Sequence, residues 1–202
     1  MIDITAVFVF FFAVIDPIGT VPVFIAVTRH EDEHSKRRIA IRAALTSAAI
    51  LTFFVVAGEL ILSAMDIPLA AFEIAGGIVL FLFALTMIFG DSKPEQEVEL
   101  AMQGSNTAIF PLAVPSIASP GAMLAAVLLT ENAQYSVVEQ AATLVTMFGV
   151  LFVALVLMLA ATRIHRIVGD AGASVISRVM GLILASVATA SALDGIKAYF
   201  GI

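Results

Sequence analysis

The sequence predicts an all-α integral membrane protein with six transmembrane helices, built as two inverted three-helix repeats whose first helices are broken at the midplane. Three observations lead there. Of the 202 residues, 61% are hydrophobic and only 13% charged, with a mean hydropathy of +1.08. Soluble domains carry about 25% charged residues, and a soluble fold of this size could not hide so much apolar surface. The excess must face lipid, which excludes soluble enzymes, nucleic-acid binders and disordered chains. Second, the apolar residues fall into long uninterrupted runs. Third, Lys and Arg gather on alternate connections. With no Cys in the chain, disulfides and thiolate chemistry are also excluded. The net charge of −6 matters less than where the charges stand.

The runs are Ile4–Thr28, Ile39–Ala64, Leu69–Gly90, Thr107–Thr130, Val137–Thr162 and Val175–Phe200. Each suits the roughly 20 residues that a spanning helix needs. No Lys or Arg precedes the first run, which continues past Asp16-Pro17, so it does not read as a signal peptide. The first connection holds Arg29, Lys36, Arg37 and Arg38, the third Lys93, and the fifth Arg163 and Arg166; the second and fourth hold none. Odd connections are therefore expected in the cytoplasm and both termini outside. Residues 1–90 form the first expected repeat and 107–202 the second. The stretch 91–106, with Asp91, Lys93, Glu95, Glu97 and Glu99, is the expected cytoplasmic polar linker.

The halves resemble each other at their first spans. Span 1 contains Asp16-Pro17-Ile18-Gly19 and Pro22; span 4 contains Pro111, Pro115 and Ser119-Pro120-Gly121-Ala122. Proline has no N–H and interrupts a helix. Asp-Pro and Ser-Pro also read as helix starts, with a capping oxygen followed by proline at the first helical position. Each span thus reads as two half-helices broken near the bilayer midplane. Inverted repeats with corresponding broken helices point to secondary transporters. Opened backbone is tolerated at this depth only inside protein or along a watery cavity, so the breaks are expected to face each other. Two converging half-helix N-termini would favour an anion such as a carboxylate. Spans 3 and 6 match more loosely, through Gly77-Ile78-Val79-Leu80 and Gly181-Leu182-Ile183-Leu184.

Asp16 is the most deeply placed ionisable residue. A charged Asp at a helix centre costs about 2.5–3.5 kcal/mol on insertion scales, and Ser119 does the same capping without charge. Two readings stay open: a protonated or capping Asp, or a site for a mobile cation, whether H⁺, Na⁺ or a substrate ammonium. Arg42 and Arg178, near the cytoplasmic ends of spans 2 and 6, stand too far away to pair with it unless tilt shortens the gap. Glu59 and Glu73 read as headgroup-solvated, and Asp194 with Lys197 as a helix-surface pair. Gly181, Ala185, Ala188, Thr189, Ala192 and Gly195 form a small-residue stripe for close helix packing. His30, His34 and His165 fall in connections. No nucleophile elbow, zinc-protease helix or phosphate loop occurs, so no catalytic residue, cofactor or nucleic-acid partner is expected.

The runs Asp16-Pro17-Ile18-Gly19-Thr20-Val21-Pro22 and Pro111-Leu112-Ala113-Val114-Pro115-Ser116-Ile117-Ala118-Ser119-Pro120-Gly121-Ala122 resemble the paired signatures of the MarC family, as does Arg178-Val179-Met180-Gly181-Leu182-Ile183-Leu184. This chain has Thr20 where that family often has Asn, and Ser119 where it often has Gly. The resemblance implies a prokaryotic inner-membrane protein related to transporters of small neutral amino acids, glycine and alanine among them. The expected function is then a secondary transporter driven by H⁺ or Na⁺. Its substrate site would comprise Asp16, Gly19, Thr20, Ser119, Gly121 and Ala122, with helix breaks at Pro17, Pro22, Pro115 and Pro120 and a Na⁺ position near Asp16. A channel of paired half-helices and a non-transporting scaffold remain the alternatives, and oligomeric state stays open.

Overall fold

A computed structural model describes residues 3–89, 108–132 and 134–201. Among these every regular element is helical: α1 (Ile4–Ile15), α2 (Pro17–Val27), α3 (Glu33–Ala64), α4 (Leu69–Phe89), α5 (Ala108–Ile117), α6 (Pro120–Leu128), α7 (Val137–Leu159) and α8 (Ala161–Phe200). The expected linker 91–106 lies outside the described residues.

Helix starts follow local chemistry. Asp3 accepts the Thr5 and Ala6 N–H groups at the head of α1, and Asp32 accepts Ser35 N–H at the head of α3. Those contacts with Ser35 hold the Asp32 carboxyl below its ordinary range. Ser136 and Glu139 bond reciprocally at the start of α7. Two helices begin earlier than the apolar runs alone indicate. α3 starts at Glu33, so Lys36, Arg37 and Arg38 sit on its first turns, and α8 starts at Ala161, directly after α7. Hydropathy marks only the lipid-immersed part of a helix; charged turns beyond it still satisfy their backbone internally.

Five segments are long and apolar enough to span a bilayer: Ile4–Val27, Glu33–Ala64, Leu69–Phe89, Val137–Leu159 and Ser174–Phe200. The bent pair α5–α6, turning by 56°, makes a sixth if it crosses as one span. Burial separates the centre from the periphery. In Ile4–Val27, 61% of the most apolar window is buried, against 22–33% in the four others. A long apolar helix that buries so little must find its apolar surroundings outside the protein. Leu45, Val56 and Val145 are accordingly exposed. All-helical among the described residues, the chain has the build of an integral membrane protein.

The interrupted segments α1–α2 and α5–α6 occupy the middle. α7 packs against α1, α2 and α3, while α3 packs against α5, α6 and α7. α8 lies on α2 and α4 lies on α6. The closest pair is α4 with α8, which run antiparallel. Gly77 faces the Ala188 carbonyl and Ala192, Gly181 faces the Ala84 carbonyl, and Gly195 faces Ala70 and Ile74. An added Cβ at Gly77 would come within 2.9 Å of backbone, so these glycines set how near the two helices approach. Thr189, placed in the same stripe by its spacing, instead faces outward and bonds the Ala185 carbonyl. Asp194 and Lys197 form the expected surface pair at 3.7 Å.

Candidate functional site

Asp16 closes one helix and opens the next. Its backbone is left-handed (φ 49°, ψ 65°), a conformation that Asp tolerates better than most residues. Its N–H donates to the Phe12 carbonyl at 3.1 Å, ending α1. Its carboxylate Oδ1 accepts the Gly19 N–H at 2.9 Å, and its carbonyl accepts Thr20 N–H at 3.1 Å, starting α2 on Pro17. The carboxylate thus occupies the anion position that a helix N-terminus offers. Gly19 has a steric reason to be glycine, because a Cβ there would overlap that carboxylate.

The second break is built differently. Ser119 is extended (φ −71°, ψ 160°), its Oγ accepts Ala122 N–H at 3.1 Å, and its carbonyl accepts Met123 N–H at 3.0 Å. Before it, α5 is irregular, with extended residues at Phe110 and Val114 ahead of Pro111 and Pro115. Gly121 lies against α4, where a Cβ would overlap the end of Leu80.

Two hydrogen bonds join the breaks. The Ser119 hydroxyl donates to the Val14 carbonyl at 2.8 Å, in the last turn of α1. Thr20 Oγ1 and Ser116 Oγ stand 3.3 Å apart, and the Thr20 hydroxyl is 3.0 Å from the Asp16 carbonyl. Asp16, Thr20, Ser116 and Ser119 are each at most 2% exposed. Beside them Ser47 of α3 donates to the Ala43 carbonyl and contacts the Ala113 carbonyl. Of the expected site residues, Gly19, Gly121 and Ala122 are also buried, as is Pro17; Pro22 and Pro115 are partly covered and Pro120 is exposed. Arg42 and Arg178 both lie on the exterior.

Chemically this is a closed cluster of oxygen atoms around one carboxylate. The N–H groups of Gly19 and Ala122 are engaged by the chain's own caps. A ligand carboxylate reaching either helix start must displace Asp16 or Ser119. Among the described residues no three His, Asp or Glu side chains gather as a metal site. Ser116, absent from the expected site, lies within the same proline-rich run as Ser119. The Ser-x-x-Ser spacing was its available signal.

Two cavities open away from this cluster, at opposite ends of the bundle. One, of about 500 Å³, is lined by Phe24 of α2, Glu33, His34, Lys36 and Arg37 of α3, and the end of α7 at Met158 and Leu159. The other, of about 400 Å³, is lined by α3 from Val55 to Ser63, by Thr130 and Asn132 after α6, and by Gln140 of α7. Sequence reasoning missed the second cavity's polar wall: Glu59 accepts both the backbone N–H of Asn132, at 2.9 Å, and its side-chain amide, at 2.8 Å.

Comparison with known proteins finds relatives that match nearly all of the chain. The chain is 33% identical over 189 residues to a UPF0056 membrane protein of Aquifex aeolicus, covering 92% of this chain and 88% of that one. It is 32% identical over 197 residues to the UPF0056 inner membrane protein YhgN of Escherichia coli K12, covering 98% of each. It is 33% identical over 193 residues to a UPF0056 membrane protein of Pyrococcus horikoshii, covering 95% and 92%. No solved structure matches. The family model described as MarC family integral membrane protein matches residues 1–200, and the chain belongs to that family.

Proposed function

We propose that the chain is a secondary transporter of small neutral amino acids in the prokaryotic plasma membrane, coupled to H⁺ or Na⁺. Both termini would lie outside, and the halves would be inverted repeats. One observation carries the reading: two helix breaks, from separate halves of the sequence, are hydrogen-bonded to each other in the buried centre, the start of each second half-helix to the end of the other's first, with a carboxylate at one of them.

The packing supports the repeat relation. Exchanging α1 with α5, α2 with α6, α3 with α7 and α4 with α8 turns the pairing of α7 with α1 into that of α3 with α5. The pairings of α8 with α2 and of α7 with α2 become those of α4 with α6 and α3 with α6. The match extends to residues: Gly77 faces Ala188 and Gly181 faces Ala84, each partner standing seven positions after the equivalent glycine. The cavities obey the same exchange, one at α2, α3 and the end of α7, the other at α6, α7 and the end of α3.

In this reading the structure is the occluded state. Transport parts the Thr20–Ser116 and Ser119–Val14 contacts and connects the centre alternately with each cavity. Carboxylate, hydroxyl and carbonyl oxygens around Asp16 suit a proton or a hard cation such as Na⁺. The test is Asp16→Asn in proteoliposomes loaded with glycine or alanine. That variant keeps the capping oxygen and removes the charge. Exchange of substrate for substrate should persist while uphill accumulation disappears. Unchanged uphill accumulation would reduce Asp16 to a cap. Non-saturating flux in the wild type, without counterflow, would make the protein a channel.

A further inference from the structure

The end of the bundle that carries the α6–α7 loop holds a second polar feature. Glu59 lies on the wall of the 400 Å³ cavity. Asn132 donates twice to its Oε2, and Gln140 Nε2 donates to Asn132 Oδ1 at 3.0 Å and to the Tyr135 carbonyl at 3.1 Å. This chain of bonds fixes the amide orientations. Gln140 spends its N–H₂ group on Asn132 and Tyr135, which leaves its carbonyl oxygen as the acceptor it can offer a ligand. No Lys, Arg or His pairs with Glu59 among the described residues. The negative charge reaches its neighbours: burial, then the charge of Glu59, holds the Glu131 carboxyl above its ordinary range.

A second observation lies deeper. Thr143 stands three positions past Gln140, so it is on the same face of α7 and roughly 4.5 Å further in. It is 1% exposed, and its hydroxyl is the buried side-chain oxygen or nitrogen without a hydrogen-bond partner among the described residues. Several other buried hydroxyls behave otherwise. Ser47 bonds the carbonyl four residues back, and Thr28 and Thr130 do the same at their helix ends. A buried polar group left unpaired is costly and calls for an explanation.

The cavity's wall of acceptors is the Glu59 carboxylate and the Gln140 amide carbonyl, with the unpaired Thr143 hydroxyl about a turn deeper on the same face of α7. A ligand that matches it has donors only and carries positive charge, which describes a primary ammonium with its three N–H groups. We propose that this cavity is the entry site for the ammonium group of the substrate, with Glu59 as counter-ion and Gln140 and Thr143 as further acceptors. The assignment rests on the transporter reading for the rest of the ligand, but the ammonium chemistry can be tested apart from it.

The probe is methylammonium, titrated against the purified full-length chain at constant ionic strength while thermal unfolding is followed. Tetramethylammonium, which has the same charge and no N–H, is the comparison. A ligand that binds the folded state raises its unfolding midpoint. Methylammonium should do so saturably and tetramethylammonium should not. Glu59→Gln keeps an acceptor for Asn132 and should weaken methylammonium binding about tenfold or more, the loss of a charged hydrogen bond. Thr143→Val should also weaken binding while leaving the unliganded midpoint unchanged or raised. Equal stabilisation by both ions, or an unchanged binding constant in either variant, overturns the site. Glycine uptake separates the two readings. A wild-type chain that takes up no amino acid yet binds methylammonium through Glu59 refutes the transporter and keeps the site. Uptake with the same half-saturation concentration in Glu59→Gln does the reverse.

Discussion

Gly19→Ala isolates the bond between the central carboxylate and the start of α2. A Cβ at this position would stand 2.7 Å from Asp16 Cγ and 2.9 Å from Oδ1, and would overlap Oδ2. The carboxylate cannot stay where it accepts the Gly19 N–H. A hydrogen bond to a charged group is worth about 1.5–3 kcal/mol. Against this stands the gain of about 0.5–1 kcal/mol for Ala over Gly within a helix. The expected net loss is about 1–2 kcal/mol. Asp16→Gly removes the carboxylate and suits the left-handed backbone without strain, so Gly19→Ala in that background should be neutral or stabilising. A double-mutant cycle, read from reversible unfolding in detergent, should give a coupling of about 2 kcal/mol. Additivity to within about 0.5 kcal/mol would refute the argument, because the glycine would then not exist for the carboxylate. The cycle also explains why bulk at Gly19 or Gly121 cannot by itself report ligand binding: the first displaces Asp16 and the second displaces Leu80.

Ser119→Ala removes the Ala122 cap and the donor to the Val14 carbonyl together and should cost about 2 kcal/mol; a loss below about 0.5 kcal/mol in the same unfolding assay would show that the bridge between the breaks contributes nothing. Glu131, with its folded-state pKa raised, favours folding below its unfolded pKa and loses that contribution as pH rises through the folded value. Glu131→Gln should therefore match the wild type at about pH 4 and exceed it at about pH 7 by under ~1 kcal/mol; equal midpoints at both would contradict the shift. Single cysteines at Glu31 and Gln134, both exposed, should label from opposite sides of the membrane, Gln134 from outside; same-side labelling would reject six spans, and reversed labelling the orientation.

Features written in consecutive residues were legible in the sequence. Asp-Pro and Ser-Pro carry their capping chemistry within four residues, and both caps form as bonds to the third residue on. Apolar runs gave the membrane-crossing cores of the helices because burial in lipid needs no tertiary partner. Tertiary pairings were not legible. Nothing local says that Ser119 donates to Val14, 105 positions away, or that Ser116 meets Thr20. Glu59 read as a headgroup-facing carboxylate because its depth is visible and Asn132, 73 positions away, is not. Helix ends beyond the bilayer also escaped, since the charged starts of α3 and α8 look like loops to any hydropathy argument.

The two breaks share a position in their spans but not an electrostatic character, and the difference bears on how a zwitterion would sit between them. At the first, α2 begins under a fixed carboxylate, so the partial positive charge of its N-terminus is already answered. Residues 4–27 pass as one span across that point, because a left-handed Asp16 closes α1 and starts α2 in a single residue. At the second, α6 begins under a neutral hydroxyl, its helix turned by 56° from α5. The positive end of its dipole is bonded but not neutralised. In the transporter reading this orders the ligand. Its carboxylate gains at the start of α6, around Ser119, Gly121 and Ala122, where it replaces a hydroxyl. At α2 it would have to expel a carboxylate and gain little. The ammonium, or the coupling cation, gains at Asp16. Two anionic breaks would repel the substrate carboxylate, and two neutral ones would leave the ammonium without a counter-charge, so the departure from exact symmetry is what a symmetric frame needs in order to hold an asymmetric molecule.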